Sequence, residues 1–181
     1  MMHTVTNFLR RFRREEDGQM LVEFALAVPL IMTLFLTSVE LGIYAMRQNF
    51  LDRGVDMAVR DVRLNTTTNY THAQLKTMIC ENAGFLPDCE NALKLEMTPV
   101  NPRSFAGFAG VADCIDVTEP LKPSRVFKHG GEHQLMMIRA CYLFDPIFPT
   151  TGMGYAFTRT EDGSDRAKML ALSAFVQEPN S

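Results

Sequence analysis

Residues 24–39 read Phe-Ala-Leu-Ala-Val-Pro-Leu-Ile-Met-Thr-Leu-Phe-Leu-Thr-Ser-Val, sixteen positions without a charge, bracketed by Glu23 and Glu40. Extending the run through both glutamates to Met20 and Met46 gives 27 residues. That is about 40 Å of helix, where a bilayer core takes about 20 residues. The run is apolar on every face rather than striped, which separates it from the helix of a soluble domain. It is predicted to span a membrane, with the two glutamates near its interfaces. The chain-wide averages conceal this: 181 residues, 46% hydrophobic, net charge −3. A balance of 18 Lys+Arg against 21 Asp+Glu leaves no general basic footprint for nucleic acid.

Upstream lies Phe8-Leu9-Arg10-Arg11-Phe12-Arg13-Arg14, four arginines in five positions. The positive-inside rule keeps this end in the cytoplasm and exports the C-terminal part. The acids Glu15-Glu16-Asp17 follow at once, which argues against a nucleic-acid patch. Ordinary signal-peptide cleavage requires small residues beyond the apolar run. Ser38-Val39-Glu40-Leu41-Gly42-Ile43-Tyr44 instead offers a glutamate and bulky side chains.

The informative spacing is Gly18-Gln19-Met20-Leu21-Val22-Glu23-Phe24, a glycine closing the charged leader and a carboxylate five residues beyond it. An acid at the centre of a bilayer costs about 2.5–3.5 kcal/mol, so intramembrane acids usually have a task. Cleavage after Gly18 would leave Gln19 with a free, positively charged amine about one helical turn from Glu23. That amine, on the same or a neighbouring subunit, is a natural partner for Glu23. The acid would then set register when such helices pack side by side.

On these residues the sequence resembles the type IV prepilin class, and within it the TadE family of the tight-adherence (Flp) pilus machinery. The resemblance rests on the basic leader, Gly18 with Glu23 at the fifth position after it, Phe24, and the run Val22-Glu23-Phe24-Ala25-Leu26-Ala27-Val28-Pro29-Leu30. It continues in Val39-Glu40-Leu41-Gly42 and, loosely, in Tyr142-Leu143-Phe144-Asp145-Pro146 and in residues 171–179. The resemblance implies a prepilin peptidase cutting between Gly18 and Gln19, and a helix that stays as anchor in the inner membrane. It also implies recognition by other pilin-like subunits and pilus platform proteins. Pro29 interrupts the run and removes one backbone hydrogen bond. Either it forms a kink or melted turn that eases extraction into a filament, or neighbouring helices satisfy the freed carbonyl.

Beyond Met46 the residues Leu41, Tyr44, Leu51, Val55, Ala58 or Val59, and Val62 recur at helical spacing, with Arg47, Asp52, Arg53, Asp56, Arg60, Asp61 and Arg63 assigned to the other faces. One helix is therefore predicted from 19 to 64, ended by the polar segment 65–69. A short helix follows over 72–82 with Gly84 as its C-cap. Alternation at Leu93, Leu95 and Met97 marks a strand, 114–117 another, and 168–177 the last. Residues 125–128 and 134–144 are predicted to pair as a hairpin, and 145–165 to form a long loop with Pro146 and Pro149. The expectation is α+β: a long transmembrane and amphipathic helix followed by a small antiparallel sheet. Its segments are a cytoplasmic leader (1–18), a transmembrane helix (19–46), a periplasmic helix extension (47–64) and a periplasmic domain (65–181).

Cys80, Cys89, Cys114 and Cys141 all fall on the exported side. In an oxidising compartment they read as two disulfides with three open connectivities, of which Cys80–Cys89 with Cys114–Cys141 is preferred. Their spacing, and the turn-like setting of His129 and His133, give no zinc pattern. Gly107-Phe108-Ala109-Gly110 lacks the Gly-Lys-Ser/Thr of a phosphate loop, and residues 161–165 lack the oxygens of a calcium loop. With no catalytic constellation and no cofactor motif, the sequence points to a single-pass pilin-like interaction protein that needs lipid and protein partners. The alternative is a signal-anchored periplasmic enzyme or ligand-binding module.

Overall fold

The computed structural model describes residues 18–65, 68–104, 108, 112, 114, 127–150, 152–158 and 166–179. It begins with a 46-residue helix, α1 (Gln19–Leu64), which carries Pro29 inside it without a break. The melted turn that the sequence allowed is therefore not formed here. A second helix, α2 (His72–Ala83), starts on a reciprocal cap, in which the Gln74 amide donates to Thr71 Oγ1 at 3.3 Å and the Thr71 amide to Gln74 Oε1 at 2.9 Å. It ends where Gly84 turns to φ +63°. A single turn, α3 (Cys89–Ala92), leads into β1 (Leu93–Pro99). The remaining elements are β2 (Leu135–Phe144), α4 (Gly152–Thr158) and β3 (Ala167–Val176).

The strands form one antiparallel sheet in the order β1-β2-β3, with Leu95 opposite Ala140 and Ala140 opposite Ala171. Strand alternation puts Leu93, Leu95, Met136, Ile138, Tyr142, Met169 and Phe175 in a buried layer. That layer packs on Leu51, Val55, Ala58 and Val59 of α1 and on Leu75, Ile79 and Ala83 of α2. The chain is thus α+β, a long helix with a small sheet and a second helix packed on its C-terminal half. On β1 and β2, buried Glu96 and half-buried Arg139 sit at positions alternate to the core layer. Arg139 Nε donates to Glu96 Oε2 at 2.6 Å, with the Phe108 ring 4.4 Å from the guanidinium carbon.

Three expectations need correction. Residues 127–128 do not pair with β2 as a hairpin. Phe127 bridges Met97 in parallel, and the Lys128 amide donates to the Met97 carbonyl at 2.9 Å. The 145–165 segment is not all loop, because α4 forms within it. Arg47, assigned to a solvated face, is buried, whereas Leu41, assigned to the core stripe, is 46% exposed. The predicted strand over 114–117 falls mostly outside the described residues, and Cys114 itself lies in no strand.

At Gly54 α1 lies close against α2. A Cβ there would lie 2.7 Å from the Ile79 carbonyl oxygen and 3.0 Å from Ala83 Cβ. Helix propensity alone favours Ala over Gly by about 1 kcal/mol, yet overpacking against backbone costs about 1–3 kcal/mol. Gly54→Ala is therefore expected to lower the unfolding midpoint. Gly42→Ala, where a Cβ meets nothing within 4 Å, should leave it unchanged or raise it. Equal shifts in a thermal melt would remove the close-approach argument.

His72 at the start of α2 has its pKa lowered first by burial and then by Lys76, with a backbone hydrogen bond at Leu95 acting the other way and Lys94 lowering it further. The unfolded chain therefore takes up a proton at higher pH than the native one. Stability should fall as pH drops below about 6.5 and level off once the native imidazole is also protonated. His72→Gln should flatten that slope in midpoints measured between about pH 7 and pH 5.

Candidate functional site

The N-terminal half of α1 sets the problem. Ten large apolar side chains from Met20 to Phe35 are more than half exposed, Met20 at 84% and Leu34 at 72% among them. Burying such a side chain is worth about 1.5–3 kcal/mol. Moving all ten out of water would release about 15–30 kcal/mol. The helix is long and apolar enough to cross a membrane, and none of its most apolar stretch is buried within the chain. An apolar solvent is the condition that accommodates it. The few polar groups in this stretch turn inward onto the backbone. Thr33 Oγ1 donates to the Pro29 carbonyl at 2.7 Å, Thr37 Oγ1 to Thr33 at 2.6 Å and Ser38 Oγ to Phe35 at 2.7 Å.

The two ends of the run differ. At the first, Gly18 precedes the helix with φ −104° and no side-chain cap, and its carbonyl accepts from the Val22 amide at 3.2 Å. The bond between Gly18 and Gln19 therefore sits where the helix starts. Gln19 Nε2 donates to Glu23 Oε1 at 2.8 Å, and both side chains are exposed. The Gln19 and Glu23 side chains thus share one face of the first turns.

At the other end Glu40 is 1% exposed. Its two carboxylate oxygens accept from consecutive backbone amides, Oε1 from Ile147 at 3.1 Å and Oε2 from Phe148 at 3.0 Å. Those amides belong to the segment that leaves β2 and leads into α4. One turn along α1, Tyr44 stacks on Phe157 of α4 with centroids 4.6 Å apart and tilts against Phe144 at 5.9 Å. One turn further, the Arg47 guanidinium lies 5.1 Å from the Phe144 centroid. Its Nε and Nη1 are buried and find no hydrogen-bond partner among the described residues. Gln48 Nε2 then donates to the Leu170 carbonyl of β3 at 2.9 Å. Packing of α1 onto the domain therefore starts at the residue that ends the uncharged run. The sequence showed Glu40 only as an interfacial acid. Its partners are backbone amides 107 and 108 residues away, which leave no mark in a residue pattern.

The cysteines form two bridges. Cys80–Cys89, with Cα atoms 5.7 Å apart, ties α2 to α3, and Cys114–Cys141, at 5.3 Å, ties the segment over the sheet to β2. Among the described residues no group of three or more His, Cys, Asp or Glu is arranged to hold a metal ion. A cleft of about 260 Å³ opens near the C-terminal end of α1, between Tyr70, His129, Glu132, Phe175 and Glu178. It falls just below the about 300–1,000 Å³ usual for small-molecule sites.

Fold and site together define a class, an α+β domain built onto the C-terminal half of a helix whose N-terminal half has the length and composition of a membrane anchor. More particularly, residues 18–60 match the family model of TadE-like proteins. That stretch takes in Gly18, Glu23, Pro29 and Glu40 and runs on into the packed half of α1. The resemblance read from the sequence is found as such over these residues. No curated protein and no solved structure matches the chain. The TadE-like match and the apolar helix are consistent with a membrane component associated with Tad pili.

Removing the Glu40 carboxylate would strand two amides that it now satisfies, at about 1–3 kcal/mol for each buried group left unpaired. Glu40→Ala is expected to destabilise the domain by about 2–6 kcal/mol and to speed hydrogen exchange at Ile147 and Phe148 before other amides. Unchanged protection at those two positions would show that the carboxylate does not hold the segment.

Proposed function

We propose that this chain is a single-pass, pilin-like minor component of a tight-adherence pilus assembly or secretion apparatus. It lies in the inner membrane with residues 1–18 in the cytoplasm and the α+β domain in the periplasm, and it acts by helix–helix and domain–domain contacts. The observation that carries the reading is the coincidence of the TadE-like match with a helix whose apolar half is unburied and whose other half is packed. The four arginines at 10, 11, 13 and 14 support the orientation.

In this reading a prepilin peptidase cuts between Gly18 and Gln19 on the cytoplasmic side, at the start of the helix. The amine of Gln19 then joins its own side-chain amide as a donor within reach of Glu23. Partner helices are pilin-like subunits and platform proteins that meet α1 along its apolar half, where a carboxylate lacking a donor would be costly. Glu23 therefore selects the axial register in which a donor faces it. Pro29 leaves the Ala25 carbonyl without its intrahelical donor, a second point at which a neighbouring helix can be read.

The test uses full-length protein extracted from membranes of cells with an active prepilin peptidase. Intact mass and N-terminal sequencing should give a chain that begins at Gln19, and a chain retaining residues 1–18 would overturn the processing step. Glu23→Ala should still insert in the membrane yet reduce piliation at least about tenfold, the effect of about 1.4 kcal/mol. Unchanged piliation would overturn the register role.

A further inference from the structure

Residues 146–158 read Pro-Ile-Phe-Pro-Thr-Thr-Gly-Met-Gly-Tyr-Ala-Phe-Thr, without a charged side chain. Ile147 is 47% exposed and Tyr155 53% exposed, so part of this apolar material faces outward. Its position gives it meaning. The Ile147 and Phe148 amides are bonded to Glu40, and Glu40 directly follows the uncharged run. Residues 20–39, at 1.5 Å each, make up the about 30 Å of a bilayer core. The segment fastened to Glu40 therefore lies at the depth where α1 leaves the hydrocarbon.

Two further contacts hold this segment as a unit. A Cβ on Gly154 would fall 2.9 Å from the Phe148 carbonyl carbon and 3.1 Å from Pro149 Cα, so α4 lies directly on the 148–149 backbone. Phe157 stacks on Tyr44 of α1. In the sequence, charge resumes on either side, at Asp145 and from Arg159 onward, and Arg166 donates to both oxygens of Asp145 at 3.0 and 3.2 Å. A neutral element with an exposed isoleucine and tyrosine suits the headgroup region, where amphipathic rings concentrate.

We infer that residues 146–158, including α4, are a membrane-surface contact through which the exported domain sits on the outer leaflet. The partner is the boundary between lipid headgroups and acyl chains, and the absence of charge makes the contact indifferent to anionic lipid. The inference rests on the reading of α1 as a membrane span. The domain is then seated on the bilayer, and the packed half of α1 is its core rather than a stalk that holds it away. Any partner must approach from the sides or the far end.

The chain contains no tryptophan, so single substitutions give clean reporters. The full chain would be reconstituted in phosphatidylcholine vesicles carrying bromine at shallow or deep acyl positions. Ile147→Trp and Tyr155→Trp report on the contact, Leu34→Trp on the span, and Leu64→Trp on the far end of α1. Leu34 and Leu64 are 72% and 60% exposed, so these changes do not disturb the core. Trp at 147 and 155 is expected about 5–10 Å into the headgroup–acyl boundary, quenched more by shallow than by deep bromine and unaffected by salt. Trp at 34 should be quenched most by deep bromine, and Trp at 64 by neither. If positions 147 and 155 both behave like 64 while 34 is quenched, the seat is overturned and the anchor stands. If 34 is not quenched, the anchor is overturned and the seat with it.

Discussion

A carboxylate taken out of water costs several kcal/mol unless it is paired or hydrogen-bonded. Glu40 meets this condition with two consecutive backbone amides, at 3.1 and 3.0 Å, from the segment after β2. Because α1 is continuous on both sides of Glu40, this contact fixes where the domain sits along the helix. Below it every residue of α1 is exposed or half-buried; from it onward the stripe Glu40, Arg47, Leu51, Gly54, Val55, Ala58 and Val59 is buried. One helix is therefore unburied up to Glu40 and packed from it onward.

The rest of the domain is arranged to make a small core sufficient. A three-stranded sheet is stable when a helix covers it, and here α1 and α2 both pack against the same layer. Gly54 brings the two helices close enough that a methyl group would meet the Ile79 carbonyl. The bridge Cys80–Cys89 ties α2 to α3, and Cys114–Cys141 ties the β1–β2 connection to the sheet. A disulfide of this kind typically adds about 2–4 kcal/mol, chiefly by restricting the unfolded chain. That supplement matters in a domain with few residues to bury.

What was legible in the sequence was local. The uncharged run and the three- and four-residue spacing after it gave α1, alternation at Leu93, Leu95 and Met97 gave β1, and Gly84 marked the end of α2. What was not legible depended on partners far along the chain. Arg47 reads as solvated because a charge usually is, but Phe144, 97 residues away, supplies a face for its guanidinium. The 125–128 segment looked like one arm of a hairpin by adjacency, whereas Phe127 reaches back to Met97. Pro146 and Pro149 made 145–165 look like loop. Gly154 is in fact what lets α4 lie against Phe148. Glu40 was visible as an acid and invisible as a clamp, since backbone amides carry no sequence signature.

The two glutamates that flank the apolar run are thereby unequal, and the difference bears on how such a helix would be read by others. Glu40 has both carboxylate oxygens engaged within its own chain and is 1% exposed. It cannot recognise a neighbour without releasing the 145–150 segment. Glu23 is exposed, and among the described residues its hydrogen bond comes from Gln19 at 2.8 Å. A carboxylate has about four lone-pair positions, so Glu23 retains acceptor capacity beyond its bond from Gln19. In the proposed assembly the helix is therefore fixed to its own domain at one end and open to selection by other helices at the other. The division follows from where the hydrogen-bond donors lie: consecutive amides of the domain beside Glu40, and Gln19, joined in the proposed assembly by partner helices, around Glu23.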